Sequence, residues 1–184
     1  DADKGYSATV QFGHNSSTGD SEGELTATGP VTFDQTQLLA ALAQLTGPIE
    51  QVPPMYSALK HQGKALYAYA REGITIERKP RSVVIHHLQL LAFDGQQAVL
   101  DVQCSKGTYV RTLAEDLGRI LGCGAYLTGL RRTRTGGFDL ADAITLDALE
   151  ALSPEARLAT LLPVDVLVRH LPAHTLDAVE VQKI

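Results

Sequence analysis

The stretch AVLDVQCSKGTYVRTLAEDLGRILG, residues 98–122, changes its hydrophobic period halfway along. Ala98, Leu100, Val102 and Cys104 alternate with Val99, Asp101 and Gln103, the period-two pattern of a strand with one buried face. From Val110 onward, Leu113, Ala114, Leu117, Ile120 and Leu121 fall at helical spacing, and Gly122 stands where a glycine C-cap stops a helix. Gly107 permits the sharp turn between the two. Thr108 is expected to cap the helix by accepting a backbone N–H. Tyr109 and Arg111 then fall in the first helical turn, beside the end of the strand. A ring and a cation at such a junction have two readings. They hold a flat substrate and a carboxylate, or Arg111 pairs with a surface acid.

The neighbouring segments extend this strand-turn-helix unit. Tyr6, Ala8, Val10 and Phe12 alternate with polar residues and predict a half-buried strand, followed by a polar loop, GHNSSTGDSEGE (13–24). Thr32-Phe33-Asp34-Gln35 reads as a capping box before a helix carrying Leu38, Leu39, Leu42 and Leu45 on one face, with Gly47-Pro48 as its stop. Val83–Phe93 reads as a strand with a bend, and residues 125–138 as another. Thr145 and Ser153-Pro154 each start a short helix. After Pro172 the pattern restarts as HTLDAVEVQKI (174–184). Strands separated by helices without a strict βαβ rhythm indicate an α/β protein of the α+β type. Its sheet is expected to be mixed, largely antiparallel and flanked by helices.

Residues 51–80 differ in character. QVPPMYSALKHQGKALYAYAREGITIERKP has a proline pair, basic residues and three tyrosines, Tyr56, Tyr67 and Tyr69, with a short helix expected over Lys64–Glu72 and Gly73 as its stop. The segment reads as an arm projecting from the core. Aromatics interleaved with cations suit nucleic acid, since rings stack on bases while cations meet phosphates. The same tyrosines would equally serve as a clasp facing the core.

Charge points the same way. The net charge is −5, yet twelve of the 16 Lys and Arg lie in residues 55–134 with only six of the 21 acids. That segment is +6 and the remainder −11, an asymmetry expected of a polyanion partner on one face. No apolar run is long enough to span a membrane, and no signal peptide opens the chain. Cys104 and Cys123 form neither a CxxC pair nor a framework, which suits a reducing compartment. The six histidines form no metal-binding pattern, and adjacent His86 and His87 are expected on opposite faces of a strand. There is no GxSxG elbow, P-loop or GxGxxG. Cofactor-free chemistry or plain binding remains.

The blocks DADKGY (1–6), STGDSEGE (17–24), GPVTF (29–33), PPMYSALKHQGKALYAYAREG (53–73), CSKGTYVRTLAEDLGRILGCGAYLTGLRRT (104–133) and TLDALE (145–150) closely resemble the bacterial TruB family of tRNA pseudouridine synthases. The resemblance runs in order along nearly the whole chain. It implies an isomerase that converts the T-loop uridine of tRNA to pseudouridine without cofactor or metal, in the cytoplasm and as a monomer. The target base must leave its stack, which costs a few kcal/mol. Tyr6 matches the tyrosine that stacks on the flipped base, and Arg111 the arginine that pairs with the catalytic aspartate. Tyr109 and Leu130 match pocket-lining positions. Asp20 matches an acid of the arginine's charge network, and Lys60 and Lys64 lie on the RNA-gripping arm.

The family's catalytic aspartate sits in a block resembling GHTGxLDPxATG upstream of DKGY, and no such block occurs in this sequence. No aspartate here is nominated as nucleophile. The expected organisation is a partial catalytic domain over 1–172, with 53–80 as the arm, and the start of a truncated C-terminal domain over 173–184. Residues 1–184 alone are expected to be inactive, with Arg111 lacking its main carboxylate partner. The competing readings are a non-catalytic tRNA-binding module or tRNA chaperone, and a scaffold whose basic stretch is a solvated face.

Overall fold

The computed structural model describes residues 2–172 and 174. The chain divides into two units, Asp1–Ala143 and Ile144–Ile184.

The first unit is built on a six-stranded sheet. Its strands are β1 (Lys4–Phe12), β4 (Gly47–Gln51), β7 (Arg81–Phe93), β8 (Gln97–Cys104), β9 (Ala125–Thr135) and β10 (Phe138–Asp139), in the order β10-β9-β1-β8-β7-β4. Every neighbouring pair is antiparallel. The parallel contribution expected of a mixed sheet shrinks to an isolated bridge between Asp20 and Leu127. The alternation in β8 is realised residue by residue: Ala98, Leu100, Val102 and Cys104 are buried and the intervening residues half-buried. β1 follows suit, and Tyr6, Ala8, Val10 and Phe12 pack with Leu38 and Leu42 of helix α1 (Gln35–Gln44) and Leu113 and Leu117 of α3 (Val110–Leu121). Each fully buried Leu contributes about 1.5–3 kcal/mol of transfer free energy. Phe12, Phe33 and Phe93 close one end of this core, Phe12 edge-on to Phe33 at 4.9 Å and Phe33 stacked on Phe93 at 5.6 Å.

Several local expectations are corrected. The capping residue of α1 is Asp34, whose carboxylate accepts from Gln37 N while the Gln37 side chain accepts from Asp34 N, so the box starts two residues after Thr32. Leu39 is 47% exposed and Ala41 takes the buried position. Gly47-Pro48 ends the helix but also begins β4, an edge strand where proline's missing N–H costs nothing. The polar loop contains a small hairpin, β2 (His14–Ser16) against β3 (Leu25–Ala27). In the arm, Lys64-Ala65 is strand β6, paired with β5 (Lys60–His61), and helix α2 begins only at Leu66 (Leu66–Arg71). A bulge in β7 between Ile85 and His87 breaks the alternation expected of the two histidines. His86 Nε2 lies 3.2 Å from Asp3, and His87 Nε2 lies 3.8 Å from Asp101.

In the second unit, α4 (Leu146–Glu150) and α5 (Pro154–Ala159) have the expected caps, Thr145 and Ser153. The Arg157 guanidinium donates to the carbonyls of Leu149, Glu150 and Leu152, tying the two helices together. The restart expected over 174–184 lies outside the described residues apart from His174.

α3 rests closely on the start of β9, because Gly118 leaves no room for a side chain. A Cβ there would overlap the backbone of Gly124 and Ala125. Gly118→Ala is therefore expected to lower the unfolding free energy by about 3 kcal/mol, read as a lower urea midpoint at unchanged m. An unchanged midpoint would contradict this packing.

Candidate active site around Arg111

The turn between β8 and α3 differs in detail from its sequence reading. Gly107 has φ +81°, as the sharp turn requires. Thr108 does not cap the helix; its hydroxyl donates back to Ser105 O at 2.9 Å. Tyr109 occupies the N-cap position, with no side-chain capping bond. Its backbone is held instead by Gln51, 2% exposed at the end of β4. Tyr109 N–H donates to Gln51 Oε1 at 3.0 Å, and Gln51 Nε2 donates to Tyr109 O at 3.2 Å. One buried amide thus satisfies two helix-terminal groups and fixes where α3 begins.

That position sets Arg111. Its Nη1 donates to Asp20 Oδ2 and to Thr18 O, each at 3.2 Å, and its Nη2 donates to Tyr56 O at 2.7 Å. Asp20 and two carbonyls satisfy Arg111 in this chain, using the fork geometry that a guanidinium provides. The Arg111 and Asp20 side chains are 24% and 28% exposed, so water still reaches the pair. Asp20 is fixed from its other side: Oδ1 accepts from the Thr18 hydroxyl at 2.6 Å and from Glu22 N at 3.2 Å. Gly19 lets the loop lie against α3, since its φ is +78° and a Cβ would come within 3.2 Å of Arg111 Cβ and Glu115 Oε1.

Tyr6 and Leu130 lie along adjoining strands on one face. Tyr6 pairs with Arg132 and Ala8 with Leu130 across β1 and β9. Tyr6 is 8% exposed, whereas Leu130 is 50% exposed. The sequence reading missed Arg132. Its Nη2 donates to the Tyr6 hydroxyl at 3.3 Å, and its guanidinium carbon lies 5.4 Å from the ring centroid. Such a contact stabilises the ring's placement by about 0.5–1 kcal/mol. Spacing gave no signal for it, because 126 residues separate the two.

Lys60 and Lys64 lie on the arm's hairpin. The Lys64 ammonium bonds both oxygens of Glu72 at 2.6 Å and sits 4.6 Å from the Tyr69 ring centroid. Among the described residues, no group of three His, Cys, Asp or Glu side chains could hold a metal ion, and no helix is long and apolar enough to cross a membrane. Burial raises the thiol pKa of both Cys104 and Cys123, which disfavours the reactive thiolate. Glu115, one turn beyond Arg111, is also pushed up. Burial is the main cause and Asp116 adds to it, while Arg111 acts in the opposite sense.

Comparison with known proteins supplies a family. Residues 1–110 match the TruB family pseudouridylate synthase N-terminal domain, and residues 111–169 match the tRNA pseudouridylate synthase B C-terminal domain. The chain is 60% identical over 178 residues to tRNA pseudouridine synthase B of Aromatoleum aromaticum, covering 97% of this chain and 58% of that protein. It is 58% identical over 183 residues to tRNA pseudouridine synthase B of Chromobacterium violaceum, covering 100% and 60%. The chain thus spans 58–60% of the length of these relatives. Among solved structures, a chain of a Cbf5-Nop10-Gar1 complex is similar at TM-score 0.67 and 24% identity, covering 92% of this chain and 44% of that one. A chain of an H/ACA RNP bound to a substrate RNA containing 2'-deoxyuridine is similar at TM-score 0.54 and 20% identity, covering 84% and 38%. At these identities the two structures show the fold alone.

The raised Glu115 makes a pH prediction. The folded state holds this proton to a higher pH than the unfolded chain does. It therefore binds more protons above the ordinary value of 4.5, and stability falls as pH rises through that window. Glu115→Gln removes the fall, so the variant gains on wild type as pH rises above 4.5, read from urea midpoints. A difference that stays constant with pH would contradict the assignment.

Proposed function

This chain belongs to the TruB family of pseudouridylate synthases, and from that premise we propose that its full gene product isomerises the T-loop uridine of tRNA to pseudouridine. The bond between ribose C1′ and N1 of the base breaks, a bond from C1′ to C5 forms, the C5 proton leaves to solvent and N1 gains a proton. No redox partner is required by this balance, and the reading includes no cofactor and no metal. It places the protein in the cytoplasm, as a monomer acting on the tRNA T stem-loop.

One observation carries the reading. Asp20 and Arg111, which the family resemblance singles out from blocks 91 residues apart, meet at 3.2 Å. In this reading Arg111 pairs with the catalytic aspartate of the full gene product, and Asp20 holds the guanidinium ready for it. Tyr6 stacks on the flipped uracil, with Arg132 fixing the ring. Leu130 supplies an exposed apolar wall, and Tyr109 lines the pocket from the start of α3. Lys60 and Lys64 grip the RNA backbone from the arm. A flipped base needs such a prepared face, because leaving its stack costs a few kcal/mol that stacking on Tyr6 recovers in part.

The test is release of tritium from tRNA labelled at uridine C5. The full gene product is expected to release it stoichiometrically with pseudouridine; tRNA binding without release would establish a non-catalytic binding module instead. Tyr6→Ala is expected to abolish release and keep most tRNA affinity, so release near the wild-type rate would overturn the role given to Tyr6. Lys64→Ala is expected to weaken tRNA binding while leaving turnover of bound RNA nearly unchanged, and an unchanged dissociation constant would count against the arm as an RNA contact.

A further inference from the structure

Arg78, at the exit of the arm, is a cation to which the proposed mechanism gives no role. Its Nε is buried and, among the described residues, has no hydrogen-bond partner. A buried guanidinium N–H without an acceptor costs about 1–3 kcal/mol or more, so the position asks for an anionic acceptor.

The surroundings give that acceptor a shape. Arg78 lines a cavity of about 290 Å³ whose walls come from the arm's entry (Pro53, Pro54, Tyr56), the loop after β2 (Ser17, Thr18) and Glu115 of α3. At about 30 Å³ per water, this volume is far larger than a single ion needs. Two of the walls belong to the Arg111 network: Thr18 O and Tyr56 O both accept from its guanidinium. The cavity therefore adjoins the candidate active site. The lining supplies a cation, the rings of two prolines and a tyrosine, and hydroxyls with a carboxyl. A free anion would use only the first of these; a nucleotide uses all three.

We propose that this cavity is a subsite for a nucleotide flanking the target uridine, with its phosphate on Arg78 and its ribose 2′-hydroxyl on Glu115. The proposal rests on the tRNA-modifying reading above. Burial disfavours the charged form of Glu115, which acts against the repulsion that a carboxylate would exert on a nearby phosphate. The 2′-hydroxyl is the group by which such a site tells RNA from DNA.

The experiment combines Arg78→Ala in the full gene product with a T stem-loop RNA carrying single methylphosphonates, one position at a time around the target. Wild type should lose about tenfold in affinity at one flanking phosphate, and Arg78→Ala should lose the same on unmodified RNA. The losses should not add when combined, and the salt slope of log K should shrink by about 0.7. Arg78→Lys should recover part of the affinity. A 2′-deoxy substitution at the same nucleotide should weaken wild type but not Glu115→Ala. Additive losses at every flanking phosphate, or an Arg78→Ala slope equal to wild type, would overturn the subsite. If Arg78→Ala fails to fold, the methylphosphonate scan of wild type still decides: no sensitive flanking phosphate overturns the proposal. Wild type that binds and converts tRNA yet shows no such coupling overturns this inference alone. Wild type that binds no tRNA overturns both this inference and the reading beneath it.

Discussion

The guanidinium of Arg111 is where three separate parts of the chain meet. It bonds the loop after β2 through Thr18 and Asp20, the root of the arm through Tyr56, and belongs itself to the first turn of α3. A planar fork of donors can serve three acceptors at once; an ammonium would serve them poorly. Because the pair with Asp20 is about a quarter exposed, its Coulomb energy is screened and its value is chiefly geometric. The sheet and α3 place Arg111, and Arg111 in turn places the loop and the arm.

This dependence runs back to Gln51 and Gly118. Gln51 clamps the start of α3 to the edge strand β4, and Gly118 lets the middle of the helix touch the start of β9. Between these two points the helix axis has little freedom. The Asp20–Leu127 bridge and the bond from Leu127 N to Gly19 O then fasten the loop to the same strand. The acid, the arginine and the arm root are thus held by ordinary packing around α3.

Much of this was legible in the sequence where one period dominated. The alternation in residues 98–104 and 6–12, and the helical spacing from Val110, predicted β8, β1 and α3 because each buries one face against the same core. β4 was not legible: five residues containing a proline show no period, and only pairing with β7 makes them a strand. Thr108 was expected to cap α3, but its hydroxyl has a nearer acceptor in Ser105 O, and the capping work passes to Gln51, 58 residues away. Of the site, the resemblance to TruB enzymes led to Tyr6, Asp20 and Arg111. Arg132 and Arg78 were invisible, since what marks them is a ring across a strand pair and an N–H without an acceptor.

Arg111 is the group that organises the candidate site. The most direct measurement is tritium release by Arg111→Lys in the full gene product, together with hydrogen exchange at the arm root. A lysine keeps the charge but cannot reach three acceptors. Release is therefore expected to fall about a hundredfold or more, with tRNA affinity nearly unchanged and faster exchange around Tyr56. Release near the wild-type rate with an equally protected arm root would contradict the account.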